Sequence, residues 1–194
     1  MVSQWLYKSI KNRMKKNLVL AICLLTAHVA MSQKFITRAG EIKFEASMPA
    51  FEEVAAKNTT ASCILEESTG DFVALVLVKA FKFKVPLMEE HFNENYIEST
   101  LFPKSTFKGK IINFDAAKIA STKMAYDIEG ELTIHGITRK IKVKAYIAKY
   151  SGKITITSNF SIRPVDYEIK IPNIVKSKVA EDVKITYNFI LDKK

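Results

Sequence analysis

The sequence predicts an all-β domain, either a closed barrel or a two-layer sandwich of antiparallel strands. Strict alternation of apolar and polar residues fills the second half of the chain, and this period of two is typical of a strand with one face inward. Only residues 86–96 favour a helix, with Pro86 in the first turn and Glu89 and Glu90 near its positive end. Because no long helices alternate with strands, a parallel sheet is excluded.

The strands follow one another at short intervals. Early strands are predicted at residues 42–46, 61–67 and 72–85, with Gly70 in the turn before the third. The third begins with two apolar faces, so we expect one to meet the interior and the other to lie under a covering segment. Later strands are predicted at residues 124–134 (with Gly130 as a bend or bulge), 140–147, 154–162, 165–171 and 183–191.

Residues 1–32 are predicted to be a cleaved signal peptide. They hold five of the 30 basic residues and none of the 20 acidic ones. The apolar run at residues 18–27 would span only about 15 Å as a helix, half of a bilayer core. Ala30-Met31-Ser32 offers a small-x-small cleavage site, so the mature chain would begin at Gln33 and reside in the periplasm or outside the cell. Met14 is an alternative start that gives a more compact leader.

Residues 33–194 are predicted to form one domain, because no repeat, linker or change of composition divides them. Their net charge of +5 is spread without a long like-charge run. Phe and Lys alternate at residues 79–84, a pattern that can bind single-stranded nucleic acid, but an exported chain makes such a partner a poor expectation. Cys63 is the only cysteine left after cleavage and is interpreted as a small buried hydrophobic residue. We expect a monomer or dimer with no stable membrane span.

The sequence predicts no catalytic residue, no metal and no cofactor. It contains no phosphate-binding glycine loop, no serine nucleophile elbow and no zinc-ligand spacing. His91 lies near Glu90 and Glu94, which could form an acid–base or metal cluster, although solvated side chains on an exposed helix are the simpler interpretation. His135 stands among turn residues between two strands.

Aromatic residues concentrate around the predicted helix. They could line a ligand chamber or fill one end of the fold, and the pattern alone does not separate these two interpretations. The concentration comprises Phe81, Phe83, Phe92, Tyr96, Phe102, Phe107 and Phe114.

Four strings in the mature chain resemble the YceI-like family, in the expected order. They are HFNENYIES at 91–99, FPKSTFKGKI at 102–111, GELTIHGIT at 130–138 and DYEIKIP at 166–172. The first resembles a branch typical of Bacteroidetes-type bacteria. The resemblance implies a single antiparallel lipocalin-like β-barrel of about eight strands with one short helix, which in some members holds a polyisoprenoid.

The leading hypothesis is therefore a non-enzymatic, exported carrier of a long-chain isoprenoid, a quinone-like molecule or another lipid. Its alternatives are a cell-envelope structural or interaction module with a filled barrel, and a hydrolase or isomerase using Glu90, His91 and Glu94. Room for a ligand would come from small inward residues, assumed to be Ala46, Ala74, Ala80, Gly109 and Ala145. The predicted ligand-binding residues are Phe81, Phe83, Phe92, Tyr96, Phe102, Phe107 and Ile169.

Overall fold

Nine antiparallel strands build the described part of the chain, which in this computed structural model comprises residues 33–49 and 51–194. The predicted signal peptide and both candidate start residues lie outside it. Residues 33–194 form a compact unit of their own. The strands are β1 (Lys34–Ser47), β2 (Ala55–Glu66), β3 (Asp71–Leu77), β4 (Lys82–Phe83), β5 (Lys104–Ile111), β6 (Met124–Ile134), β7 (Ile137–Tyr150), β8 (Lys153–Ile162) and β9 (Val179–Lys193).

Eight of these strands close into a barrel. Their order is β1-β9-β8-β7-β6-β5-β3-β2, and pairing of β1 with β2 completes the ring. The two-residue strand β4 pairs with the start of β2 on the edge that faces β3, beyond the residues that pair with β3, and there Ala56 opposes Phe83. The predicted antiparallel barrel of about eight strands is confirmed. The alternation of apolar and polar residues explains why these strands form a barrel, since the apolar residues of each strand lie on its inward face and are buried there.

The predicted helix is confirmed as one continuous helical segment. It begins as α1 (Pro86–His91) and continues as a π-helical turn over Phe92–Tyr96. A second helix, α2 (Asn173–Lys176), was not predicted, because four residues are too few to show a helical period. No helix among the described residues is long and apolar enough to span a bilayer.

The predicted strand at residues 165–171 is wrong. Residues Pro164–Tyr167 form a 3₁₀ helix instead, which ends at Glu168 in the left-handed conformation with φ 57°. Pro164 fixes the first helical φ, and the Arg163 guanidinium bonds the Asp166 carboxylate at 2.8 Å across the turn. Local turn chemistry therefore outweighs the alternation of apolar residues in this segment.

The predicted run at residues 72–85 is shorter than expected. β3 ends at Leu77, where the Asn58 side chain donates a hydrogen bond to the Leu77 carbonyl at 3.1 Å, and a 3₁₀ turn follows over Val78–Ala80. The outer face of β3 stays uncovered by any described segment, because Val73 is 39% and Leu77 49% exposed. The expected covering segment is thus wrong for the described residues.

Gly130 is not a bulge, since the pairing of β6 with β5 and β7 runs through it without a shift. It lies directly opposite Gly109, and a Cβ at Gly130 would overlap the Lys108 carbonyl oxygen. Two glycines let the strands approach beside the Phe107 ring. Register shifts fall instead in β1, around Gly40 in its pairing with β2 and at two places in its pairing with β9.

The antiparallel order gives the barrel two distinct ends. The loops that follow β1, β3, β6 and β8 emerge at one of them, here named the open end, and their described residues are 48–49, 51–54, 78–103, 135–136 and 163–178. The loops at 67–70, 112–123 and 151–152, together with Gln33 and Lys194, lie at the other, here named the closed end.

Candidate ligand-binding site

A cavity of about 390 Å³ occupies the barrel interior toward the open end. Inward residues of the strands form its wall, as Ile42, Phe44 and Ala46 show on β1. None of the lining residues is acidic, and only His91 and Lys178 carry basic side chains. Both of these are exposed, so the cavity reaches solvent at the open end, where both residues lie.

Four phenylalanines line the cavity near the open end and form the outer aromatic cluster: Phe44, Phe81, Phe83 and Phe92. The Phe92 ring, from the π-helical turn, lies 5.1 Å from Phe83 and 5.3 Å from Phe44 between ring centroids. Edge and tilted contacts at this spacing are favourable for aromatic pairs. The cluster joins β1, β4 and the helix into one apolar wall.

A second group of rings lies deeper and forms the inner aromatic cluster: Phe72, Phe107, Phe160, Tyr187 and Phe189. Tyr187 stacks on Phe189 with centroids 4.9 Å apart. Burial raises the pKa of the Tyr187 hydroxyl, which is hydrogen-bonded to Ser158. The Ser158 hydroxyl in turn donates to the Lys144 carbonyl at 2.6 Å. The one phenol of this cluster is therefore satisfied within the wall, and the floor of the cavity stays apolar.

Glu89 holds the helix against β4. Its carboxylate accepts hydrogen bonds from the Lys82 ammonium and, at 3.2 Å, from the Phe83 backbone N–H. The Asn93 side-chain amide donates to the Glu89 carbonyl at 2.8 Å. The hydrogen bond from Lys82 holds the pKa of Glu89 below its ordinary value. These bonds fix the relative positions of Phe83 and the turn that carries Phe92.

His135 joins three segments at the open end. Its Nε2 bonds a Glu98 carboxylate oxygen at 2.8 Å, and its Nδ1 bonds the Tyr167 carbonyl oxygen at 3.1 Å. The carbonyl oxygen of Tyr167 and the carboxylate of Glu98 are both acceptors, so the ring nitrogen that makes each bond donates it. His135 has φ 50° in the tight turn between β6 and β7, as the sequence predicts for a turn residue. The ring thereby ties this turn to the chain on both sides of the cavity mouth.

The structure brings six of the seven predicted ligand-binding residues to the cavity. They are Phe81, Phe83, Phe92, Tyr96, Phe107 and Ile169, and their binding role stays a prediction. Phe102 is not among the lining residues. Its ring packs on His135, with centroids 4.4 Å apart, and occupies the space where a side chain at Gly136 would lie.

Sequence reasoning missed the strand residues that build most of the wall, among them Phe44 and Tyr187. The signal was present, because alternation in β1 and β9 already placed both on inward faces. Of the small residues assumed to give room, Ala46 and Ala74 line the cavity. The other three, Ala80, Gly109 and Ala145, do not.

Cys63 and the two carboxylates of the predicted acid–base cluster, Glu90 and Glu94, are not among the residues that line the cavity, whereas His91 of that cluster is. Cys63 is 1% exposed in the barrel core, and burial raises the pKa of its thiol, which confirms the interpretation as a buried hydrophobic residue. Glu90, His91 and Glu94 are exposed, and no hydrogen bond among the described residues joins them. No cluster of metal-ligating side chains is found in residues 33–49 and 51–194.

A family model of the YceI-like domain matches residues 27–191. The chain belongs to the YceI-like family. The match includes residues of every strand of the barrel and all residues that line the cavity. No curated protein sequence matches the chain.

Solved structures share this YceI-like fold at low sequence identity. A polyisoprenoid-binding domain from Saccharophagus degradans, implicated in plant cell wall breakdown, superposes with a TM-score of 0.72 at 13% identity over 84% of this chain and 99% of that chain. BcnA of Burkholderia cenocepacia gives 0.64 at 15% identity, over 78% and 95%. The Campylobacter jejuni YceI protein gives 0.54 at 17% identity, over 70% and 81%.

Proposed function

We propose that this YceI-like protein is an exported, non-enzymatic binding protein that holds the tail of a long apolar molecule, such as a polyisoprenoid or a quinone-like lipid, in its barrel. The observation that carries the proposal is the cavity of about 390 Å³, whose wall holds two aromatic clusters and no acidic side chain. Its volume falls within the range of about 300–1,000 Å³ typical of small-molecule sites.

The wall is suited to a chain of methylene or isoprene units. Each buried methylene contributes about 0.8 kcal/mol before ordering costs, and these contributions add along a chain that contacts an apolar wall. An apolar wall with few polar groups orients a ligand weakly, so chain length rather than head-group chemistry would dominate affinity. Membership of the YceI-like family, together with a fold shared with a solved polyisoprenoid-binding domain, supports the same class of ligand.

The open cavity favours a carrier over the alternative of a filled barrel. In a packed interior, side chains interdigitate with few voids larger than a water molecule. Here the inner and outer aromatic clusters line a space instead of closing it. The enzyme alternative has less support, since the carboxylates of Glu90 and Glu94 are solvent-exposed and share no hydrogen bond with His91.

A displacement titration with isoprenoids of increasing length tests the proposal on delipidated protein. Affinity should rise with length until the cavity is full. Phe92→Ala should weaken binding by roughly tenfold, because it removes apolar contact from the wall. Phe102→Ala is the matched control, since the same ring is removed outside the lining. Equal weak binding at every length, or equal losses in the two variants, would refute the carrier proposal.

Export is tested separately by N-terminal sequencing of the periplasmic or secreted protein. The proposal expects a chain that begins at Gln33. A chain that retains the apolar run at residues 18–27 and fractionates with membranes would refute cleavage and leave the cavity proposal standing.

A further inference from the structure

Apolar side chains point outward around the cavity mouth. On α2, Val175 lines the cavity while its neighbour Ile174 is 85% exposed, the highest value for a large apolar side chain among the described residues. On α1, Met88 lines the cavity and Leu87 is 57% exposed. In each short helix, therefore, one apolar residue lines the cavity and the residue before it is exposed to solvent beside the cavity mouth.

The segment around α2 is also basic. Residues 169–180 contain Lys170, Lys176 and Lys178 and no acidic residue. None of these three lysines has an ion pair among the described residues, whereas Lys82 and Arg163 at the same end are paired with Glu89 and Asp166. Lys178 itself stands in the cavity lining. Unpaired positive charge thus lies at the mouth beside the most exposed apolar residue.

We propose that this docking rim, residues 170–178 together with Leu87, binds an anionic membrane surface with the cavity mouth facing the lipid. The proposal rests on the proposed function, because a mouth against a bilayer lets an apolar ligand pass without crossing water. The lysines would contact lipid phosphates while Ile174 and Leu87 enter the interfacial layer. Both interactions are typical of peripheral membrane binding.

The chemistry of the rim favours a membrane over a protein partner. Lysine is depleted from protein interfaces, whose buried centres are contiguous and apolar. At the rim the exposed apolar residues are single side chains on separate helices, and three unpaired lysines lie in the segment that carries Ile174. A lipid surface accommodates this arrangement, because each apolar side chain inserts independently and each ammonium remains at the head-group level.

Vesicle flotation of delipidated residues 33–194, the compact unit that holds the whole barrel, tests the docking rim. Phosphatidylcholine vesicles with phosphatidylglycerol should bind the protein, and phosphatidylcholine alone should bind it much less. Replacing Lys170, Lys176 and Lys178 by Gln should lower the partition coefficient at least about tenfold. Each lysine near an anionic surface raises that coefficient by a factor of about five. Added salt should also lower the partition coefficient, because it screens the attraction between the lysines and the lipid phosphates.

Matched controls remove the same chemistry elsewhere on the barrel. Ile174→Asp is compared with Ile190→Asp, which changes an isoleucine 49% exposed on the outer wall of β9. The lysine triple variant is compared with Gln at Lys108, Lys110 and Lys123, which are exposed and without a described ion pair. The controls should change vesicle binding by no more than about twofold.

The outcomes separate the docking rim from the cavity. Absence of vesicle binding, equal losses in rim and control variants, or rim variants that alter only self-association in sedimentation would overturn the docking proposal. The displacement titration with isoprenoids would then still decide, independently, whether the cavity binds them in solution. Rim-dependent vesicle binding without isoprenoid binding would support the docking rim and refute the proposed ligand.

Discussion

The two ends of the barrel are built from different chemistry. At the closed end, Phe35, Leu65, Ile154 and Leu191 are fully buried. The ammonium groups of Lys149 and Lys193 lie 5.5 and 5.9 Å from the centre of the Phe35 ring, and both pair with Glu67. Packed apolar volume closes this end, and two cations over an aromatic face cover it.

At the open end, long loops surround a cavity and a few polar contacts hold them. Glu89 fixes the helix to β4, and His135 ties Glu98 to Tyr167. Large apolar side chains such as Ile174 remain exposed there. We infer that the free energy of folding is concentrated at the closed end, whereas ligand affinity depends on the open end. Substitutions at the closed end should therefore lower the stability of the fold, whereas substitutions at the open end should mainly lower ligand affinity.

The largest expected effect is a charge buried at the closed end. Ile156 is 0% exposed and does not line the cavity. In Ile156→Asp the new carboxylate would therefore be out of contact with solvent, and no buried cation among the described residues would pair with it. An unpaired buried charge costs several kcal/mol, comparable with the stability of a whole domain. The variant should not fold, as measured by circular dichroism and soluble yield.

The matched change at the open end is Phe83→Asp. Phe83 is partly exposed and lines the cavity near its mouth, so the carboxylate can reach water. This variant should keep its strand signal in circular dichroism and lose isoprenoid binding. If Phe83→Asp unfolds the protein as completely as Ile156→Asp, the proposed division between the two ends is wrong.

A second prediction concerns the barrel wall between the ends. Gly130→Ala should lower the free energy of unfolding by about 1–3 kcal/mol, because its Cβ would overlap the Lys108 carbonyl and the Gly109 Cα. Gly152→Ala is the control, since a Cβ there meets no atom within 4 Å and only the φ of +78° is unfavourable. Urea unfolding measures both. A larger loss at Gly152 would mean that backbone conformation, not strand approach, decides the role of these glycines.

The difference between the ends also explains what the sequence could predict. The barrel follows from strands whose alternation is dictated by burial, and that rule holds along β6 to β9. Alternation misled at residues 165–171, where Pro164 and the Arg163–Asp166 pair stabilise a 3₁₀ turn. Strand residues of the cavity wall could therefore be predicted from the sequence, because alternation tells which of them face the interior.

Loop residues of the site could not be assigned in this way. Phe102 lies in the same aromatic concentration as Phe92, yet its ring packs on His135 and not on the cavity. Its position depends on contacts with the turn at Gly136, which lies 34 residues further along the chain. No local pattern in the sequence encodes such a contact.

A smaller effect is expected at the open-end contact of His135. His135→Asn keeps a residue that tolerates positive φ but cannot reach both Glu98 and the Tyr167 carbonyl. The free energy of unfolding should fall by about 1–2 kcal/mol, the cost of lost hydrogen bonds in a part-buried site. Glu98→Gln disturbs only the Nε2 contact and should cost less. Equal stability of His135→Asn and the unmodified protein would show that packing alone holds the three segments.

The smallest expected effect is the pH dependence of the Glu89 contact. The Lys82 hydrogen bond holds the pKa of the Glu89 carboxyl below its ordinary value of 4.5. A carboxyl with a lowered pKa in the folded state stabilises the fold above its unfolded pKa, and this contribution is lost as the pH falls through the folded pKa. Near pH 7, Glu89→Gln should therefore be less stable than the unmodified protein, by less than about 1 kcal/mol for so accessible a pair.

The two proteins should become more similar in stability at acid pH, because protonation removes the same charge that the substitution removes. Urea unfolding at about pH 7 and about pH 3 measures the change in the difference, and Glu90→Gln is the control for a neighbouring carboxylate with no described hydrogen bond. A Glu89→Gln deficit that stays constant down to acid pH would mean that the carboxylate contributes by shape and hydrogen bonding alone. The helix would then be fixed to β4 by the packing of Phe83 and Phe92, and its charge pair with Lys82 would have no part in shaping the open end.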